Sequence, residues 1–107
     1  MNYMFDSLPK PFDVWTLKMS SSEAPPIVIY TRPFCGFCAR ALGLFREKGL
    51  DFTEIEAGFD PDKRREMITR SGRSTFPQIF VGETHIGGCD ELMALDRAGK
   101  FDAMLSV

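Results

Sequence analysis

The sequence predicts an α/β fold: a four-stranded mixed sheet covered by helices, in the order βαβαββα with a short helix at the C-terminal end. Two observations carry this. Apolar runs of strand length alternate with stripes of helical period, the pattern of strands packed beneath helices. The first two strands are joined by a helix, which lets them run parallel, whereas the last two are joined only by Gly82-Glu83, a turn that makes an antiparallel hairpin.

Each element has its own signal. Ile27-Val28-Ile29-Tyr30 is β-branched and aromatic, the mark of a buried strand. Behind it, Cys38, Ala41, Leu42 and Phe45 fall at i, i+3, i+4 and i+7, one face of a helix, which Gly49 ends. Asp51 to Glu56 alternates as a half-buried strand. Asp60 is an N-cap and Pro61 a first helical residue, opening a helix with its body over Asp62 to Arg70 and its stop at Gly72. Gln78-Ile79-Phe80-Val81 and Thr84-His85-Ile86 are the hairpin strands. Gly87-Gly88 breaks the chain before a helix over Asp90 to Ala98, and Gly99 separates that from a last helix, Phe101 to Leu105.

Between the first strand and the first helix stands Thr31-Arg32-Pro33-Phe34-Cys35-Gly36-Phe37-Cys38. A C-x-x-C at such a junction points to thioredoxin-like redox chemistry. The thiolate is the nucleophile, and a helix N-terminus with its unpaired N–H groups favours the anion, as does Arg32 three residues upstream. Cys38 lies one turn further in, on the apolar stripe, where burial keeps it neutral. Cys35 is therefore expected to attack and Cys38 to resolve. On a regular helix such an i,i+3 pair has β-carbons about 5–6 Å apart, wider than the roughly 3.5–4.5 Å of a relaxed disulfide. Their bridge is expected to be easily reduced.

The 107 residues suit one domain. A net charge of −2 and a pI near 5.3 argue against nucleic acid as the main partner. Three cysteines, an odd number, do not make a complete disulfide framework. No apolar run approaches a membrane span, and the first 24 residues lack the apolar core of a signal peptide, so a cytoplasmic protein is expected. Residues 1–24 sustain no period, and Met19 to Pro26 reads as a linker. They are read as an extension outside a domain of residues 25–107, or as a docking segment built on Phe12 and Trp15.

Four spaced blocks carry a family resemblance: the Cys35-to-Cys38 motif with its basic neighbour, the run from Lys63 to Gly72, Thr75-Phe76-Pro77, and Gly87-Gly88-Cys89-Asp90. Residues 27–105 closely resemble glutaredoxins, the glutathione-dependent branch of the thioredoxin superfamily. The resemblance implies a thioredoxin-like fold and a thiol–disulfide oxidoreductase that uses glutathione as co-substrate to reduce glutathione mixed disulfides and protein disulfides. Cys35 would carry glutathione as a mixed disulfide and be released by a second glutathione. The resemblance also implies a cis Pro77, with the backbone of Phe76 pairing with the cysteinyl part of glutathione beside Thr75. Gly88, Cys89 and Asp90 would take the γ-glutamyl end, and Arg32 and Arg64 the glycyl carboxylate, with Phe37 at the mouth. On the residues alone, Asp90 reads as a plain N-cap, Cys89 as a small buried hydrophobe, Tyr30 as core, and the cluster Lys63, Arg64, Arg65, Arg70 and Arg73 as a solvated face. The expected partners are glutathione and disulfide-bonded or glutathionylated clients, with no membrane and no nucleic acid, and the protein is expected to be a monomer.

Two other functions fit parts of the sequence. Gly36 stands where reductase-type members commonly carry proline, which raises a dimeric [2Fe–2S] carrier ligated by Cys35 and glutathione; cysteine at 38 argues for redox work instead. Cys35, Cys38, His85 and Cys89 also have the ligand types of a zinc site.

Overall fold

A computed structural model of the chain describes residues 24–106. Both readings of the N-terminal segment, as extension or as docking segment, fall outside the described residues but for Ala24. The eight elements appear in the expected order: β1 (Ile27–Thr31), α1 (Gly36–Glu47), β2 (Thr53–Glu56), α2 (Pro61–Ser71), β3 (Gln78–Val81), β4 (Thr84–Gly87), α3 (Cys89–Arg97) and α4 (Lys100–Leu105). The sheet order is β2-β1-β3-β4, with β1 parallel to β2 and every other pair antiparallel. Among the described residues no helix is long and apolar enough to cross a membrane.

Side-chain alternation along β1 builds two cores. Ile27 and Ile29 point to one face with Ile79 and Val81, where Ala41, Leu42 and Phe45 of α1, Leu92 of α3 and Phe101 of α4 cover them. Tyr30 and Phe80 point to the other, covered by Ala57 and Met67. The expected stripe of α1 is therefore its buried face, Cys38 included. β2 is more exposed than its alternation suggests, with only Ile55 of its four residues half-buried, because it is an edge strand.

The ends of the helices hold the departures from expectation. Asp60 caps α2 as read, its Oδ1 accepting from the N–H groups of Asp62 and Lys63, and Gly72 ends it at φ 73°. Asp90 is not a cap. α3 begins one residue earlier, Gly88 is its N-cap, and Glu91 Oε1 accepts the Gly88 N–H at 2.6 Å. Gly88 also has its backbone close to that of Pro77, whose carbonyl oxygen would lie 3.3 Å from an added Cβ. The basic face is exposed as read, at Lys63, Arg64, Arg65, Arg70 and Arg73, and Arg70 in addition donates to Tyr30 Oη at 2.9 Å and lies 4.1 Å over the Phe80 ring.

Phe45 is fully buried between Phe52 and Phe101, with ring centroids at 5.4 and 6.0 Å. Phe45→Ala is expected to cost about 3–5 kcal/mol, read as a lower midpoint in urea unfolding. A loss below about 1 kcal/mol would mean that the three rings do not anchor α1 and α4 to the sheet.

Candidate functional site

Cys35 stands one residue before α1, as its N-cap, with extended backbone at φ −113° and ψ 109°. The chain reaches that position through Phe34, whose φ of 57° is left-handed, and through Pro33. Cys35 Sγ accepts the Cys38 N–H at 3.3 Å, so an orphan donor of the helix start points at the sulfur. The sulfur also lies 3.9 Å from the carbonyl oxygen of Phe76. Burial by itself would raise the Cys35 thiol. The hydrogen bonds from the Cys38 thiol and backbone, the Arg32 guanidinium and the Phe37 N–H together outweigh it and hold the thiol below its ordinary value. Cys38 goes the other way: burial and the neighbouring Cys35 push it up to about 12. The two sulfurs are both free, and the asymmetry expected from their positions is present.

The residues expected around them fall into two adjoining depressions. One is lined by Phe37, Thr75, Phe76, Pro77, Gly88, Cys89 and Asp90, together with Arg73 and Glu91. The other is lined by Arg32, Arg64, Ser74, Thr75 and Phe76. Thr75 and Phe76 border both, and the Phe76–Pro77 peptide is cis. Arg64, exposed, lies with its guanidinium 5.5 Å over the Phe76 ring at the edge of the second depression. Phe37 is 58% exposed at the mouth. Cys89 is buried, and burial raises its thiol, which suits packing and not attack.

Some contributors had no signal in the sequence. Arg73 and Glu91 pair across the first depression at 3.7 Å, and Glu91 is held below the ordinary carboxylate range chiefly by the Gly88 N–H. Gly58 packs against the motif's approach: a Cβ there would lie 2.6 Å from Arg32 Cβ. A glycine preceding Phe59 is the trace this contact leaves in the chain, and only the fold says what it faces. The zinc reading loses its ligand set, because among the described residues no three His, Cys, Asp or Glu side chains come together to hold a metal.

The family model described as Glutaredoxin matches residues 27–86. The chain belongs to the glutaredoxin family. A glutaredoxin of Pseudomonas aeruginosa is 54% identical over 82 residues, 77% of this chain and 98% of that protein. Among solved structures, the buckwheat glutaredoxin–glutathione complex is 34% identical with a TM-score of 0.69, covering 76% of each chain. A structure solved in work on the metal binding of glutaredoxins is 52% identical with a TM-score of 0.59, covering 77% of this chain and 89% of that one. The fold is thioredoxin-like, and this glutaredoxin is a thiol oxidoreductase of a family that uses glutathione.

The geometry lowers the Cys35 thiol and raises that of Cys38, so Cys35 is expected to be the faster of the two to alkylate. Its rate of alkylation by iodoacetamide is expected to rise with pH with a midpoint below that of a free cysteine, about 8.5. Arg32→Ala should move that midpoint up only slightly, because an exposed charge pair is worth at most about 1 kcal/mol and the Cys38 N–H remains. A midpoint like that of free cysteine would remove the basis of the assignment.

Proposed function

We propose that this glutaredoxin is a dithiol reductase of glutathione mixed disulfides and protein disulfides, with Cys35 as nucleophile and Cys38 as resolving thiol. Residues 25–107 are its working domain, and it acts as a monomer in a reducing, cytoplasmic compartment. The observation that carries the reading is the Cys38 N–H aimed at Cys35 Sγ, with the two thiols shifted in opposite directions.

The Cys35 thiolate attacks the glutathionyl sulfur of a mixed disulfide. The S–S bond breaks, the client leaves as its thiolate, and Cys35 keeps glutathione. The thiolate of a second glutathione then attacks that sulfur, so that glutathione disulfide leaves and Cys35 is reduced again. With a protein disulfide, Cys35 first bonds one client sulfur. Cys38, losing its proton as it attacks, closes on Cys35 and releases the second client thiol; two glutathiones then reopen the Cys35–Cys38 bridge.

The charges of glutathione match the two depressions. Its γ-glutamyl end carries a carboxylate and an ammonium, suited to the first-turn N–H groups of α3 at Cys89 and to the Asp90 carboxylate. Its glycyl carboxylate suits Arg32 and Arg64 in the neighbouring groove. The backbone of Thr75, Phe76 and Pro77 between them suits its peptide portion, with Phe37 and Gly88 closing the sides. That the buckwheat relative was solved as a glutathione complex supports glutathione as the ligand.

Cys35→Ser is expected to abolish all activity. Cys38→Ser should keep glutathione-dependent reduction of small mixed disulfides and lose dithiol reduction of protein disulfides. Equal loss in the two assays for Cys38→Ser would contradict the division of roles.

A second reading, a [2Fe–2S] carrier in which two chains each offer Cys35 and one glutathione sulfur, is favoured by Gly36. This residue opens α1 on the surface with open space around it, so the turn beside Cys35 is unbraced. A relative solved in work on the metal binding of glutaredoxins supports a metal-binding reading in general. Gly36→Pro fits sterically at a first helical position and stiffens that turn. Protein purified anaerobically with glutathione should be brown and dimeric under this reading, bleached by Gly36→Pro, with mixed-disulfide reduction retained. A coloured dimer that survives the substitution would show that Gly36 is not what permits the cluster.

A further inference from the structure

The loop that lies against Cys35 is held from behind. Gln78 opens β3 and has no exposed surface. Its Nε2 donates to the Thr75 carbonyl oxygen and to Thr75 Oγ1, each at 3.0 Å. Its Oε1 lies 2.7 Å from His85 Nε2 on β4. Chemistry sets the direction of this chain. A carbonyl oxygen only accepts, so the amide nitrogen of Gln78 must face Thr75 and its oxygen must face His85. The imidazole therefore carries a proton on Nε2. Every polar group of the buried amide is then satisfied, and His85 is itself seated with its ring 4.9 Å from that of Phe80.

The other side of the same loop is the working side. Thr75 and Phe76 border both depressions, and the Phe76 carbonyl oxygen lies 3.9 Å from Cys35 Sγ. Neither Gln78 nor His85 lines either depression. We propose that Gln78 and His85 are positioning residues for glutathione, a relay in which His85 orients the Gln78 amide and the amide holds the Thr75-Phe76 backbone where the tripeptide pairs with it. The inference rests on the reading that this loop receives the cysteinyl part of glutathione. A purely structural role for the same hydrogen bonds would lower stability and depress every reaction of Cys35 together. A positioning role touches only substrates that carry the glutathione backbone.

The test compares one peptide in two forms, S-glutathionylated and S-cysteinylated, at fixed saturating glutathione, beside iodoacetamide alkylation of Cys35. The unaltered protein should favour the glutathionylated form. Gln78→Leu keeps the volume and removes the donor. It should raise KM for the glutathionylated peptide about tenfold, the scale of one such hydrogen bond, with kcat, the cysteinylated peptide and the alkylation midpoint unchanged. His85→Leu should repeat this loss. His85→Gln, whose amide nitrogen reaches the place of Nε2, should restore most of it, and that pair decides the matter if Gln78→Leu does not fold. The proposal fails if the folded variants lose both peptides equally, if KM for the glutathionylated form stays unchanged, or if His85→Gln is no better than His85→Leu. A wild-type protein that does not distinguish the two peptides would overturn the loop's assignment to glutathione itself.

Discussion

The hydrogen bond from the Cys38 N–H to Cys35 Sγ is the constraint on which the site depends. A helix start has backbone donors with no acceptor inside the helix, and one of them must find a partner or stay unmet. In this protein a sulfur takes the place that a Ser or Asp oxygen commonly takes. The cap of α1 and part of what lowers the Cys35 thiol are therefore one interaction. Because Cys38 is the residue that supplies the N–H, its own side chain is carried into the helix face beneath the sheet's cover, where it is 3% exposed and burial suppresses its ionisation. Opposite fates for two identical side chains follow from three residues of separation.

The rest of the fold brings complementary surfaces to that sulfur from distant parts of the chain. β1 ends at Thr31 and delivers Arg32. The loop between β2 and α2 packs on Arg32 through Gly58, and the loop before β3 presents Thr75 and Phe76. The start of α3 closes the far side, where Glu91 occupies the Gly88 N–H and pairs with Arg73. Arg32 and Arg64 thus border one depression, and the start of α3 with the Asp90 carboxylate borders the other, where Arg73 is paired to Glu91. Under the proposed reading, glutathione, with a carboxylate at one end and both charges at the other, would meet that order.

Buried polar groups carry the link between core and site. Tyr30 is fully buried, yet its hydroxyl donates to Glu66 and accepts from Arg70, so α2 is tied to β1 by more than apolar contact. Glu66 is held below the usual carboxylate range chiefly by that Tyr30 hydrogen bond. Thr31, also buried, donates to Glu54 at 2.8 Å and ties β1 to the edge strand. Gln78 does the same for the loop beside Cys35. Unpaired, each of these groups would cost about 1–3 kcal/mol, so each specifies one arrangement of the elements it joins.

What the chain alone determined follows from local periodicity and turn chemistry. The order of the elements, the mixed sheet, the stripe of α1, the cap at Asp60 and the stop at Gly72 all rest on residues within a few positions of one another. So does the asymmetry of Cys35 and Cys38, because helix position sets both N–H supply and burial. Tertiary structure decided whatever depends on residues far apart in the chain. Asp90 looked like a cap, but Glu91 reaches back to Gly88 and the helix begins a residue earlier. The basic run around α2 is solvated as read, but only the fold shows that Arg70 also reaches Tyr30 and Phe80 and that Arg64 lies on Phe76. Gly58 and Gln78 gave no local sign of a role, Arg73 stood only in a basic cluster, and His85 stood only as a ligand type for a zinc site that the fold does not assemble among the described residues. Their partners lie across strands and loops, and a distance between two such residues exists only once the sheet has brought them together.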